Sequence, residues 1–104
     1  MFSIKTRIDL QSKLEEMLGS DQVFYQPPET LKMTYPAIIY SLEDIETVRA
    51  NDIPYLKRRK YRITIMDKRP DNPSVDKILD LPYSSYDRHY KSDGLNHDVI
   101  LLYW

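Results

Sequence analysis

The chain contains no cysteine and only two glycines among its 104 residues. Without cysteine it has no disulfide framework, no thiolate nucleophile and no cysteine-based zinc site. Rossmann and P-loop proteins need several glycines in their phosphate-binding loops, because these let the backbone approach a phosphate closely. The two absences therefore exclude both of these nucleotide-binding classes.

The chain also lacks a net charge of either sign and a long apolar run. Its 15 Lys and Arg nearly balance its 16 Asp and Glu, for a formal net charge of −1, so its composition provides no general attraction to nucleic-acid phosphates. The longest apolar run, 99–104, is far shorter than the ~20 residues that span a bilayer. The first residues lack the apolar segment of a signal peptide. We predict cytoplasmic synthesis and no membrane partner.

The balance of 41% hydrophobic and 30% charged residues is typical of a folded domain, and the length predicts a single domain over 1–104. Apolar residues recur at helical spacing near the start and predict an amphipathic helix over 3–18. Ser3 is the predicted N-cap, and Gly19 is predicted to end the helix. The predicted apolar face contains Ile4, Ile8, Leu14 and Leu18.

The rest of the chain predicts strands and one short helix. Short apolar runs and residues that alternate between apolar and polar indicate strands, whereas the weak pattern at 43–56 indicates a partly extended loop with a turn near Asn51. We predict an α+β fold, with a mostly antiparallel sheet, both helices packed on one face and a C-terminal β-hairpin. The predicted elements after the first helix are strands at 23–25, 37–42 and 57–67, a helix capped by Ser74, and a hairpin of 83–90 and 97–104 around a loop at 91–96.

The two histidines, His89 and His97, lie near Asp87 and Asp98 and suggest a metal site of two imidazoles and a carboxylate. Their spacing matches no standard ligand signature, and such residues are common at turns and strand ends. No G-x-S-x-G nucleophile motif is present. We therefore predict no catalytic residue, cofactor or metal, with a metal-dependent enzyme as the lesser alternative.

The basic run 57–60, together with nearby tyrosines, suits contact with phosphates and stacking on bases. The same residue types also protect strand edges or form charged protein interfaces. The nine tyrosines are too many for a small core to bury completely, so some are predicted at interfaces. Trp104 is predicted either to complete a sheet or to dock on a partner. The predicted protein-contact residues are Tyr55, Arg58, Arg59, Tyr61 and Trp104, and the predicted nucleic-acid contacts are Lys57, Arg58, Arg59, Lys60 and Arg62.

Five segments carry a resemblance that covers nearly the whole chain: 23–29, 35–40, 62–71, 86–90 and 93–98. In order and spacing they resemble small proteins encoded in the tail-assembly region of long-tailed phages and prophages. The chain is similar to the tail-completion family, whose members join the tail to the head or are described as minor tail or capsid proteins.

The resemblance implies an α+β fold and a structural, non-catalytic protein that assembles as a ring, typically hexameric, at the head-proximal end of the tail. It implies tail-tube and neck proteins as partners, and a location in the virion tail or neck after assembly in the cytoplasm of a bacterial host. No sequence-specific binding of nucleic acid is expected. The alternative is a nucleic-acid-binding module that uses the basic run.

Overall fold

A computed structural model describes residues 6–104, with the backbone alone at 53–56. The elements are α1 (Arg7–Leu18), β1 (Val23–Tyr25), β2 (Ala37–Ala50), β3 (Ile53–Asp67), α2 (Pro73–Leu79), β4 (Ser84–Ser92) and β5 (Leu95–Tyr103). The sheet has the strand order β1-β2-β3-β5-β4, in which β1 is parallel to β2 and all other neighbours are antiparallel. This arrangement confirms the predicted α+β class.

Helix α1 begins later than predicted, because a capping box at Thr6 sets its start. The Asp9 backbone N–H donates to Thr6 Oγ1 at 3.2 Å, and the Thr6 N–H donates to Asp9 Oδ2 at 2.9 Å. The predicted cap Ser3 lies outside the described residues. Ile8 is 68% exposed, so its predicted place on the buried face is wrong. Gly19 ends the helix with a φ of 80°, as predicted.

The core lies between one face of the sheet and the two helices. Tyr40 on β2 is buried and fixes α1 against the sheet: its hydroxyl donates to Gln11 Oε1 at 2.6 Å and accepts from Arg7 Nη1 at 3.2 Å. None of the helices within 6–104 is long and apolar enough to cross a membrane. The core cluster is formed by Leu10, Leu14, Val23, Ile38, Tyr40, Tyr61, Ile63, Ile65, Ile78, Ile100 and Leu102.

Strands β2 and β3 continue well beyond the rest of the sheet. β1 accompanies β2 only as far as Tyr40, and β5 pairs with β3 only from Lys60 onward. Residues 43–50 and 53–59 therefore pair with each other and with no third strand, apart from the Arg59 carbonyl, which accepts from the Trp104 N–H, and we call this two-stranded ribbon the arm. The predicted loop at 43–56 is wrong apart from its turn, where Asn51 and Asp52 have φ angles of 53° and 63°.

Two more boundaries differ from the predictions. Asn72 caps α2, because its Oδ1 accepts from the Ser74 backbone N–H at 2.8 Å, so the prediction of Ser74 as the cap is wrong. β4 and β5 are joined by a two-residue turn, Asp93 and Gly94, both with positive φ. The predicted six-residue loop is therefore wrong, since a tight turn of this type continues the ladder on both sides.

Candidate functional site

The two histidines lie on opposite faces of the β4–β5 hairpin. His89 is opposite Asp98, whereas His97, the next residue along β5, is opposite Tyr90. The His97 and Tyr90 rings are stacked with centroids 4.6 Å apart. In the described part of the chain no three His, Asp or Glu side chains form a group that could hold a metal ion.

Asp98 is the centre of a polar network on the face that also carries the helices. Its Oδ1 accepts from the Tyr86 hydroxyl at 2.7 Å and lies 2.7 Å from His89 Nδ1. Burial, together with donation to Asp98 and the nearby negative charge, raises the pKa of Tyr86 to about 12. The network joins β4 to β5 and fixes His89.

Beside this network lies a cavity of about 390 Å³ between β4, β5 and the start of α2. We call it the acidic cavity, because three carboxylates line it: Asp71, Asp76 and Asp98. The Asp98 side chain is 10% exposed, whereas Asp71 and Asp76 are exposed at the rim. This concentration of negative charge favours a cationic guest.

Where the arm joins the rest of the sheet, basic side chains lie over tyrosine rings. The Arg58 guanidinium carbon lies 4.5 Å from the Tyr103 ring centroid and 5.3 Å from that of Tyr83, and Lys60 Nζ lies 5.6 Å from Tyr103. Tyr83 is 72% exposed and has a φ of 64°, an unusual backbone conformation for a tyrosine. We call Arg58, Tyr83 and Tyr103 the aromatic platform.

The structure separates the predicted contact residues. Arg58 belongs to the aromatic platform. A cavity of about 180 Å³ lies beside the platform, and both Arg58 and Trp104 line it. Tyr61 is 4% exposed, and burial raises its pKa. It therefore lies in the core and not in the predicted interface. Arg59 is exposed on the arm. The side chain of Tyr55 lies outside the described part.

Trp104 follows the first of its two predicted alternatives. Its backbone N–H donates to the Arg59 carbonyl at 2.9 Å, which extends the pairing of β5 with β3. Its indole Nε1–H donates to the Thr6 carbonyl at 2.8 Å, and its ring packs against the core. Trp104 therefore holds the cap of α1 against the end of the sheet.

The basic run does not act as one surface, because alternation divides it between the two faces of the ribbon. Arg62 forms a bidentate pair with Glu43, at 2.9 and 2.7 Å, which lowers the pKa of Glu43 and raises that of Arg62. Lys57 and Arg59 lie on the other face, and Ile45, which is 42% exposed, is directly opposite Arg59. Among the described side chains neither of these two cations has an ion-pair partner.

No protein-family model matches the chain, and a search of curated proteins found no match. The candidate sites therefore rest on the geometry described above. Tyr83, Tyr103 and the acidic cavity were not predicted as sites, since each depends on strand register. The signal that was available is the Asp-Gly pair at 93–94, which indicates a tight hairpin and so sets His89 opposite Asp98.

Proposed function

We propose that the chain is a non-catalytic structural protein of long-tailed phages that self-assembles as a ring at the head-proximal end of the tail. There it completes the tail or joins it to the head. The proposal is supported by the resemblance of the five segments named above and by one structural observation, the arm. The proposed partners are other copies of the chain and the tail-tube and neck proteins of the virion.

The arm suits assembly because it has backbone edges and apolar side chains that another chain could contact. Both of its outer edges carry backbone groups that no third strand pairs, and such edges favour pairing with another chain. Leu42 at its base and Ile45 along it are large apolar residues exposed by 37% and 42%. A ring needs two different surfaces on each subunit, and the arm supplies one of them.

The test compares the whole chain with a variant whose arm is shortened. Residues 46–58 are replaced by Asn-Gly, which leaves a two-residue turn between Ile45 and its partner Arg59. Light scattering after size-exclusion chromatography measures mass across a concentration series, with and without a tail-tube protein. We expect the whole chain to form multiples of its 12.4 kDa mass and the shortened chain to stay monomeric. A whole chain that is a strict monomer with every tail protein contradicts the proposal.

A second candidate function, nucleic-acid binding, is favoured by the aromatic platform, which places a guanidinium and an exposed tyrosine ring side by side. This combination suits backbone contact and base stacking. The test is titration of single-stranded DNA at several salt concentrations, with Arg58→Glu and Arg59→Glu as the variant. Binding that weakens steeply with salt and is lost in the variant would support it, and no binding at low salt would exclude it.

A further inference from the structure

We propose that Lys57 and Arg59 on the arm of one copy dock into the acidic cavity of the next copy. The inference rests on the proposed function and specifies the contact that would build the ring. Its partner is a second copy of this chain, and the attraction is between two cations and the carboxylates of Asp71 and Asp76, none of which has an ion-pair partner within the described part of its own chain. Asp98, which is bound to His89, lines the same cavity.

On the acidic side, Asp98 is the residue that points to a cationic guest. Its side chain is nine-tenths buried, and both of its donors, Tyr86 and His89, are bound to Oδ1. Within the described residues Oδ2 has no hydrogen-bond partner, and it is open to solvent, because no buried side-chain oxygen there lacks a partner. Asp98 lines the cavity. A carboxylate oxygen in such a site gains most from a donor that is itself charged, as Lys and Arg are. Asp71 and Asp76 at the rim add to the same field.

Three cations of the arm, Arg49, Lys57 and Arg59, have no ion-pair or ring partner among the described side chains. Lys57 also lines the cavity beside the aromatic platform. Arg58 and Lys60 lie over Tyr103, and Arg62 is paired with Glu43. Lys57 and Arg59 share one face, on which Ile45, directly opposite Arg59, provides an exposed apolar contact. The acidic cavity offers a matching apolar wall, formed by two prolines and Val75. Charge and apolar area therefore correspond on the two surfaces.

The two surfaces cannot meet within one copy. Asp98 pairs with Ile65 on β3, the same strand that carries Arg59. At ~3.3 Å per residue along a strand, the two positions are about 20 Å apart. The contact must therefore join different copies through two different surfaces, and a heterologous contact of this kind produces a ring when its rotation closes.

The experiment reverses the charges on each surface separately and then together. The arm variant is Lys57→Glu with Arg59→Glu, and the cavity variant is Asp71→Lys with Asp76→Lys; Asp98 is kept because it holds Tyr86 and His89. Sedimentation velocity measures the association constant. Since like charges placed opposite each other cost several kcal/mol, we expect each variant alone to associate at least about tenfold more weakly.

Restoration is the decisive result. The chain with all four substitutions should associate again, and so should an equimolar mixture of the arm variant and the cavity variant, because each supplies the charge that the other lacks. Lys32→Glu and Glu29→Lys, on an exposed connection, serve as controls that should leave association unchanged. Circular dichroism checks folding, and Lys57→Gln with Arg59→Gln provides a milder arm variant that should weaken association in the same direction.

The failure of this inference differs from the failure of the proposed function. A wild-type chain that associates, but whose association is unaffected by either reversal or is not restored by the combination, overturns the docking and leaves the ring proposal standing. A wild-type chain that never associates overturns both.

Discussion

The body of the molecule and the arm are built from the same two strands, β2 and β3, yet they are stabilised differently. In the body, alternate residues such as Ile38 and Ile63 are completely buried under the helices. In the arm, none of the described side chains is buried. The body is therefore held by apolar burial, and the arm by backbone pairing, a tight turn and cross-strand pairs such as Glu46 opposite Arg58.

This difference indicates what each region does. A two-stranded ribbon without a third strand is only marginally stable in water. The arm therefore contributes little to the stability of the monomer and gains most from a surface that covers it. A region that adds little to the stability of the monomer is a candidate for contact with another molecule. This agrees with the proposed assembly.

The largest expected effect compares one isoleucine in each region. Ile63→Ala in the body should lower the free energy of unfolding by about 2–5 kcal/mol, because it removes buried methyl groups and leaves a cavity. Ile45→Ala in the arm should change it by no more than about 0.5 kcal/mol, because Ile45 is exposed. Urea denaturation at low protein concentration measures both values. A loss at Ile45 similar to that at Ile63 would show that the arm folds as part of the body.

The next effect concerns the Tyr86–Asp98 hydrogen bond in the body. Tyr86→Phe should cost about 1–2 kcal/mol near neutral pH, because a buried carboxylate loses a donor. The folded pKa of Tyr86 is about 12, above its ordinary value of 10.0. Between pH 10 and 12 the folded state therefore keeps the Tyr86 proton, whereas the unfolded state releases it. The contribution of this hydroxyl to the free energy of unfolding is lost as the pH rises through that window.

The measurement is the free energy of unfolding at several pH values from 8 to 12. Stability of the wild type should fall more steeply above pH 10 than that of Tyr86→Phe. Tyr90→Phe is the control, because its hydroxyl makes no hydrogen bond with the described residues, and because phenylalanine keeps the ring that stacks on His97 and lies under Arg88. Equal slopes for the wild type and Tyr86→Phe would exclude a special role for this hydroxyl.

The same contrast explains how much of the fold could be predicted. Where a face is buried, the sequence shows it: the alternation at Ile63 and Ile65 predicts β3, and Gly19 predicts the end of α1. Among the described side chains of the arm no face is buried, so hydrophobic periodicity does not indicate a strand there, and the segment is mistaken for a loop. The start of α1 was also mistaken, although Thr6 and Asp9 have the spacing of a capping box.

The candidate sites were predicted only in part, because they depend on contacts between residues distant in sequence. Arg58 was singled out by its charge and its aromatic neighbours, yet Tyr103 meets it only because β3 pairs with β5. The acidic cavity combines residues that follow β3 with Asp98 of β5. Composition can indicate the type of contact, but register decides which residues share a surface.

The smallest expected effect tests whether the arm is energetically separate from the body. Asn51 and Asp52, the two residues of the hairpin turn, both have positive φ angles. At the second position, which Asp52 occupies, glycine is the favoured residue. Asp52→Gly should therefore stabilise the arm by roughly 0.5 kcal/mol, since the relief of strain exceeds the added freedom of the unfolded chain. Hydrogen exchange should slow for arm amides at 45–50 and 57–59, while the global unfolding midpoint stays the same. A shift of the global midpoint without slower exchange in the arm would mean that the two regions unfold as one unit.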